Sequence, residues 1–163
     1  MKKTIYLAGG CFWGVEEYFS RLKGVIDTTV GYANGTTAFP TYEEVKSGAT
    51  GHAETVKIDY DSDYITIPTL LEHYLRFVDP YSVNKQGEDE GTQYRTGVYY
   101  TDLLDGMEAR SYLSNTLKPG YKIEIAKLGN FFKAEDYHQD YLKKNPHGYC
   151  HVNLNLIRDD EKK

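Results

Sequence analysis

Cys11 stands in Gly9-Gly10-Cys11-Phe12-Trp13-Gly14, between a run that reads as a strand and a run with helical spacing. A cysteine on the first turn of a helix faces unpaired backbone N–H groups and the positive end of the helix dipole, and both favour an anion. The expectation is a thiol of lowered pKa that acts as a nucleophile. The two glycines let the chain turn sharply and leave the sulfur accessible. Two plainer readings stand beside this one: a glycine turn that binds phosphate, and a small buried cysteine with no chemistry. The pattern is not GxGxxG and no Walker lysine follows, which weighs against phosphate. Phe12 and Trp13 are either core or the wall of an apolar substrate site.

Gly51-His52-Ala53-Glu54 opens another strand-like run. A carboxyl there, desolvated by aromatic neighbours, would hold its proton and serve as an acid; a solvated strand-end glutamate would not. His52 offers a general base for Cys11, as in a cysteine hydrolase. The segment Gly87 to Arg95 is acidic and then polar, as solvated loops are, and its spacing is not that of an EF-hand. Glu135-x-x-His138 is half of a di-iron pattern with no second half. His147, Cys150 and His151 are ligand types for zinc without the spacing that completes a site, so no metal is expected. Cys150 follows Pro146 in an end region that reads as flexible. It is either a spectator or a mobile thiol able to reach an oxidised Cys11.

The elements that must position these groups follow from periodicity. Lys3–Ala8, Val25–Tyr32, Ala53–Tyr60, Arg95–Tyr100 and Lys122–Ala126 read as strands. Phe12, Val15, Phe19 and Leu22 share one helical face, ended at Gly24. Thr41-Tyr42-Glu43-Glu44 has the capping-box pattern that opens a short helix. Pro68 suits the first turn of a helix that turns Leu71, Tyr74, Leu75 and Val78 inward. Asp79–Tyr94 reads as a long polar loop, Leu103–Leu117 and Ala134–Lys144 as helices. The tail from about residue 145 is expected to be irregular. Strands and helices are interspersed without a strict βαβ rhythm. The expected fold is therefore α+β: one domain spanning 1–163, a mixed sheet with helices packed on it.

Composition narrows the function. The 163 residues are 40% apolar and 26% charged, which excludes wholesale disorder. The net charge of −5 argues against a general nucleic-acid binder. No stretch approaches the ~20 apolar residues of a membrane span. The start, MKKTIYLAGG, lacks the long apolar run of a secretory signal, so a cytoplasmic location is expected, with reduced thiols. Tyrosine supplies 16 residues, suited to strands or to a pocket that is part apolar, part hydrogen-bonding. Nothing demands a dimer, and a monomer is expected.

Taken in order, Gly10-Cys11-Phe12-Trp13-Gly14, Pro40-Thr41-Tyr42-Glu43-Glu44-Val45, Gly51-His52-Ala53-Glu54, Gly91-Thr92-Gln93-Tyr94-Arg95 and Ala134-Glu135-Asp136-Tyr137-His138-Gln139 resemble the signatures of the A-type methionine sulfoxide reductases. The resemblance runs from about residue 4 to 151. It implies a two-layer sandwich with a ferredoxin-like core, and reduction of the S epimer of methionine sulfoxide, free or in proteins. By the same resemblance Cys11 is the nucleophile and Glu54 the general acid. Tyr42 and Tyr94 hydrogen-bond the sulfoxide oxygen. Phe12 and Trp13 form the pocket for the substrate S-methyl group, and Asp89 holds the substrate backbone or an ordered water. Cys150 resolves the Cys11 sulfenic acid as a Cys11–Cys150 disulfide, which thioredoxin or another dithiol reduces; alternatively an external thiol attacks the sulfenic acid and Cys150 is dispensable. No cofactor is implied. The rivals are a cysteine hydrolase using Cys11 and His52, which needs no reductant, and a module that binds oxidised or methionine-rich peptides without consuming them.

Overall fold

A computed structural model describes residues 1–163. Six strands form one sheet, in spatial order β7 (Glu124–Lys127), β6 (Thr96–Tyr100), β1 (Lys2–Gly9), β3 (Ala53–Asp61), β2 (Val25–Ala33) and β8 (Phe131–Lys133). β1 lies near the centre, antiparallel to β3 on one side and to β6 on the other. β2 continues the sheet beyond β3, and β7 pairs in parallel with β6. The connections β1-α1-β2 and β6-α4-β7 each carry a helix, α1 (Phe12–Ser20) and α4 (Leu103–Thr116). α2 (Tyr42–Lys46) follows β2, and α3 (Ile67–Phe77) follows β3. The mixed sheet with packed helices is the α+β arrangement expected from the sequence.

The register explains the layers. Ile5 pairs with Ile58, Leu7 with Val56 and Val30 with Val56, so one face of the sheet is lined by branched residues. They join Val15, Tyr18 and Phe19 of α1 and Leu70, Leu71 and Tyr74 of α3 in one core of 27 buried residues. Each such side chain, fully buried, contributes roughly 1.5–3 kcal/mol. The opposite face carries Ala8, Ala33, Ala53 and Tyr99. Here aromatic rings lie over the sheet itself; Phe131 occupies the space that a side chain at Gly31 would need.

Local signals set the helix starts. Thr41 and Glu44 form the reciprocal capping box, with Thr41 N donating to Glu44 at 2.9 Å and Glu44 N to Thr41 at 3.2 Å. Pro68 sits in the first turn of α3 behind the Thr66 cap. From α3, the Tyr74 hydroxyl donates to the Ala8 carbonyl and accepts from Gly97 N, tying β1 and β6 together just before Cys11.

Three expectations are corrected. The helix over 134–144 does not form. Phe131–Lys133 instead adds β8 to the edge of β2, and Ala134 N extends that ladder to Val30 O. The Gln139 side chain then bonds both backbone groups of Val30, and only a short α5 (Tyr141–Lys144) follows Asp140, whose φ of 50° breaks the helical path. The loop 79–94 contains a small hairpin, β4 (Lys85–Gln86) with β5 (Asp89–Glu90), and a 3₁₀ turn at Thr92–Tyr94. The tail is irregular, as expected, but it folds back on the core. Val152 and Ile157 are buried, and Arg76 of α3 grips Glu161 with two bonds of 2.8 and 2.9 Å.

Candidate active site

The site forms where β1 ends. Gly10 turns the chain with φ +91°, and a side chain there would meet Gln86 at 2.8 Å. Cys11 follows as the N-cap of α1, 7% exposed. Tyr32 of β2 pairs with Glu54 of β3, which directs Glu54 to the helix side of the sheet. The Phe12 N–H donates to Glu54 Oε1 at 3.2 Å, so the first peptide of α1 holds the buried carboxyl, while Oε2 has no protein partner.

The electrostatics divide the two groups as acid and thiol. Burial first, and Asp89 after it, push Glu54 up to about 8 against the pull of the Phe12 N–H. At neutral pH the carboxyl is therefore protonated. Burial, then Glu54, also push the Cys11 thiol well above its usual range. This corrects the lowered pKa expected from the helix position: the Trp13 N–H does draw the sulfur toward the thiolate, but desolvation outweighs it. The resting cysteine is a thiol.

Tyr42 begins α2, and Tyr94 ends the 3₁₀ turn before β6. Burial, then Glu54, raise Tyr42 to about 12 and carry Tyr94 higher still; Cys11 adds to both. Each phenol thus remains an O–H donor beside the acid and the thiol. Phe12 is buried with its ring 5.8 Å from Tyr32 and 5.2 Å from His138. Trp13 stacks on Tyr141 at 3.7 Å and donates from Nε1 to His138 Nδ1 at 3.0 Å.

Asp89 reaches this group from β5, but its Oδ2 accepts a 2.8 Å bond from the Tyr149 hydroxyl. Tyr149 precedes Cys150, whose Sγ bonds the Val152 carbonyl at 3.2 Å. A Cβ on Gly14 would lie 3.0 Å from that sulfur, so Cys150 rests one turn along α1 from Cys11. Both cysteines are free thiols. His151 adds a contact at 3.0 Å to the Gly9 carbonyl.

The structure thus brings together Cys11, Glu54, Tyr42, Tyr94, Phe12, Trp13, Asp89 and Cys150. It leaves His52 outside: that ring packs on Gly35 and meets Phe132 edge-on at 5.9 Å. Glu135 and His138 have structural partners in place of a second metal pair. Glu135 accepts from Tyr32 Oη at 2.7 Å and from Tyr42 N at 2.9 Å, which fixes the start of α2 to the sheet. Sequence reasoning missed Tyr141 and Tyr149. No pattern separates them from the other tyrosines, because their role arises from where the tail folds.

The peptide methionine sulfoxide reductase family model matches residues 3–163. The chain belongs to this family. A peptide methionine sulfoxide reductase MsrA of Ureaplasma urealyticum is 50% identical over 161 residues, covering 97% of this chain and 98% of its own length. Among solved structures, reduced Mxr1 of Saccharomyces cerevisiae superposes with a TM-score of 0.83 at 36% identity, covering 91% of this chain and 88% of that one. Mxr1 in complex with Trx2 superposes with a TM-score of 0.58 at 25% identity, covering 86% and 84%. Family membership makes the chain an oxidoreductase that returns methionine sulfoxide to methionine.

Proposed function

We propose that this chain, acting as one domain and a monomer in the cytoplasm, reduces the S epimer of methionine sulfoxide, free or in proteins, with Cys11 as the reductant. The observation that carries this reading is a fully buried Glu54 beside Cys11, its pKa raised by that burial, whose Oε2 has no protein partner. In the neutral carboxyl, Oε1 accepts from Phe12 N and the proton resides on Oε2, free for a substrate oxygen. A sulfoxide sulfur is a poor electrophile until its oxygen is protonated or strongly hydrogen-bonded. Glu54 and the Tyr42 and Tyr94 hydroxyls supply that activation. Phe12 and Trp13 receive the S-methyl group on the other side of Cys11, which admits one epimer.

Cys11 sulfur then attacks the substrate sulfur, the substrate S–O bond breaks, and the oxygen passes to Cys11. One thiol and one sulfoxide give one sulfenic acid and one thioether. Two electrons move from the Cys11 sulfur to the substrate sulfur, and the thiol proton is recovered on the sulfenic oxygen through Glu54. The Cys150 thiol displaces that oxygen as water and forms the Cys11–Cys150 disulfide. A dithiol restores both cysteines. Thioredoxin suits this role, as the Mxr1–Trx2 complex of the yeast relative supports. Asp89, bonded to Tyr149, borders the substrate and holds the segment that carries Cys150.

The test is a single turnover without reductant, with fully reduced protein and excess racemic methionine sulfoxide. The expected result is about one methionine per chain from the S epimer, with both thiols lost. Methionine formed with Cys150 still free would transfer the resolving step to an external thiol. No methionine, with both thiols surviving, would overturn the reading.

A further inference from the structure

Phe39 is 83% exposed and has φ 48°. Left-handed backbone disfavours residues with a Cβ, and an exposed aromatic ring gains nothing from burial. Such strain gathers at ligand clamps. The ring lies 5.1 Å from Phe132, tilted by 57°. Phe39, Pro40, Phe131, Phe132 and Lys133 line an open groove of about 320 Å³, room for a large apolar side chain.

The groove borders the active site along the chain and across the sheet. Pro40 leads through Thr41 directly into Tyr42. Across the sheet, Phe132, Tyr32 and Glu54 are successive partners on β8, β2 and β3. Strands lie ~4.8 Å apart, so the backbone of Phe132 is about 10 Å from that of Glu54, a distance that about three residues of extended chain cover. β8 is the last strand of the sheet, so the groove lies at its edge.

We propose that this groove is a subsite for an apolar side chain flanking methionine sulfoxide in an extended polypeptide. The proposal rests on the reductase reading and names the substrate it favours: an unfolded or loop segment in which the oxidised methionine has a large apolar neighbour within about three residues. Phe39 and Phe132 grip that neighbour, while Lys133 at the rim tolerates an acidic residue beside it. Free methionine sulfoxide ends short of the groove and gains nothing from it.

The test compares kcat/KM, with dithiothreitol as reductant, for N-acetyl methionine sulfoxide amide and for short peptides with central methionine sulfoxide. The peptides carry either leucine or serine two or three residues away on each side in turn. The wild-type chain is expected to prefer the leucine peptide over its serine counterpart about tenfold. Phe39→Ser and Phe39→Gly are expected to bring that ratio to about one. Phe39→Gly also removes the left-handed strain, so its melting temperature should not fall; a ring needed only for folding would lower it. Equal kcat/KM for the two peptides in the wild type, or a preference that survives Phe39→Ser, would overturn the subsite. So would a shift from dimer to monomer on Phe39→Ser with the peptide ratio unmoved, which would make the groove a contact between copies. Failure to convert N-acetyl methionine sulfoxide amide at all would instead overturn the reductase reading.

Discussion

Glu54 keeps its proton up to about pH 8 because it is buried, with Asp89 nearby and only one N–H to favour the charged form. The donor form is therefore present through neutral pH and is lost above 8. The single-turnover rate should stay level up to that point and fall beyond it. Glu54→Gln should lower the rate by ~10²–10⁴ and abolish the alkaline limb; a rate unaltered across pH would remove Glu54 from the acid role. The linkage runs the other way for stability. The folded pKa lies above the ordinary 4.5, so the folded chain holds a proton that the unfolded chain releases. Stability is lost as pH rises from about 4.5 toward 8, and the uncharged glutamine should raise the melting temperature at pH 8 while activity collapses. Glu135 acts one step further out, through the Tyr42 backbone. Glu135→Gln keeps one of its two bonds and should slow single turnover about tenfold, the worth of a charge-assisted bond. In a Tyr42→Phe background the same change should cost almost nothing, since residues acting through one another are not additive; full additivity would reduce Glu135 to a structural role.

The helix α1 carries the nucleophile at one end and shapes the seat of Cys150 with its first turn. Gly14→Ala would gain up to ~1 kcal/mol of helix propensity, yet its methyl would stand 3.0 Å from both Cys150 Sγ and Val152 Cγ2. The expected outcome is normal methionine formation with slowed disulfide closure, seen as a sulfenic acid that dimedone traps. Closure at the wild-type rate would mean the tail adjusts freely. At this scale the sequence is legible where pattern and packing agree. β1, β2, β3 and α3 follow their periodicities, and the capping box marks α2 to the residue. Ala134–Lys144 fails because its apolar spacing suits a helix while its first residues are claimed by the free edge of β2, a tertiary choice that no local pattern encodes. The thiol state of Cys11 fails for a related reason: the helix position is local and visible, whereas the burial that overrides it comes from β3 and the returning tail. Phe12, Trp13, Tyr42, Glu54 and Tyr94 stand in recognisable motifs and Asp89 enters by the resemblance; only folding reveals that Tyr149 holds Asp89.

At the scale of the whole molecule the tail is anchored beyond Cys150. Glu161 takes two bonds from Arg76, Lys23 N bonds the Glu161 carbonyl, and Leu22 bridges Lys162. Arg76 holds the Glu161 carboxyl down at about 2, so its contribution is complete above 4.5 and is lost as pH falls through 2. Glu161→Gln should lower the melting temperature at pH 7, with the gap to wild type closing toward pH 2; a constant gap would deny the ion pair its role. With both ends of the segment fixed, only the stretch around Cys150 must shift for the thiols to meet. The nucleophile itself has a further consequence. Peroxides consume thiolates far faster than thiols. A cysteine kept protonated until a sulfoxide enters is poor prey for the very oxidants that create its substrate, so the repair machine is spared the damage it exists to undo.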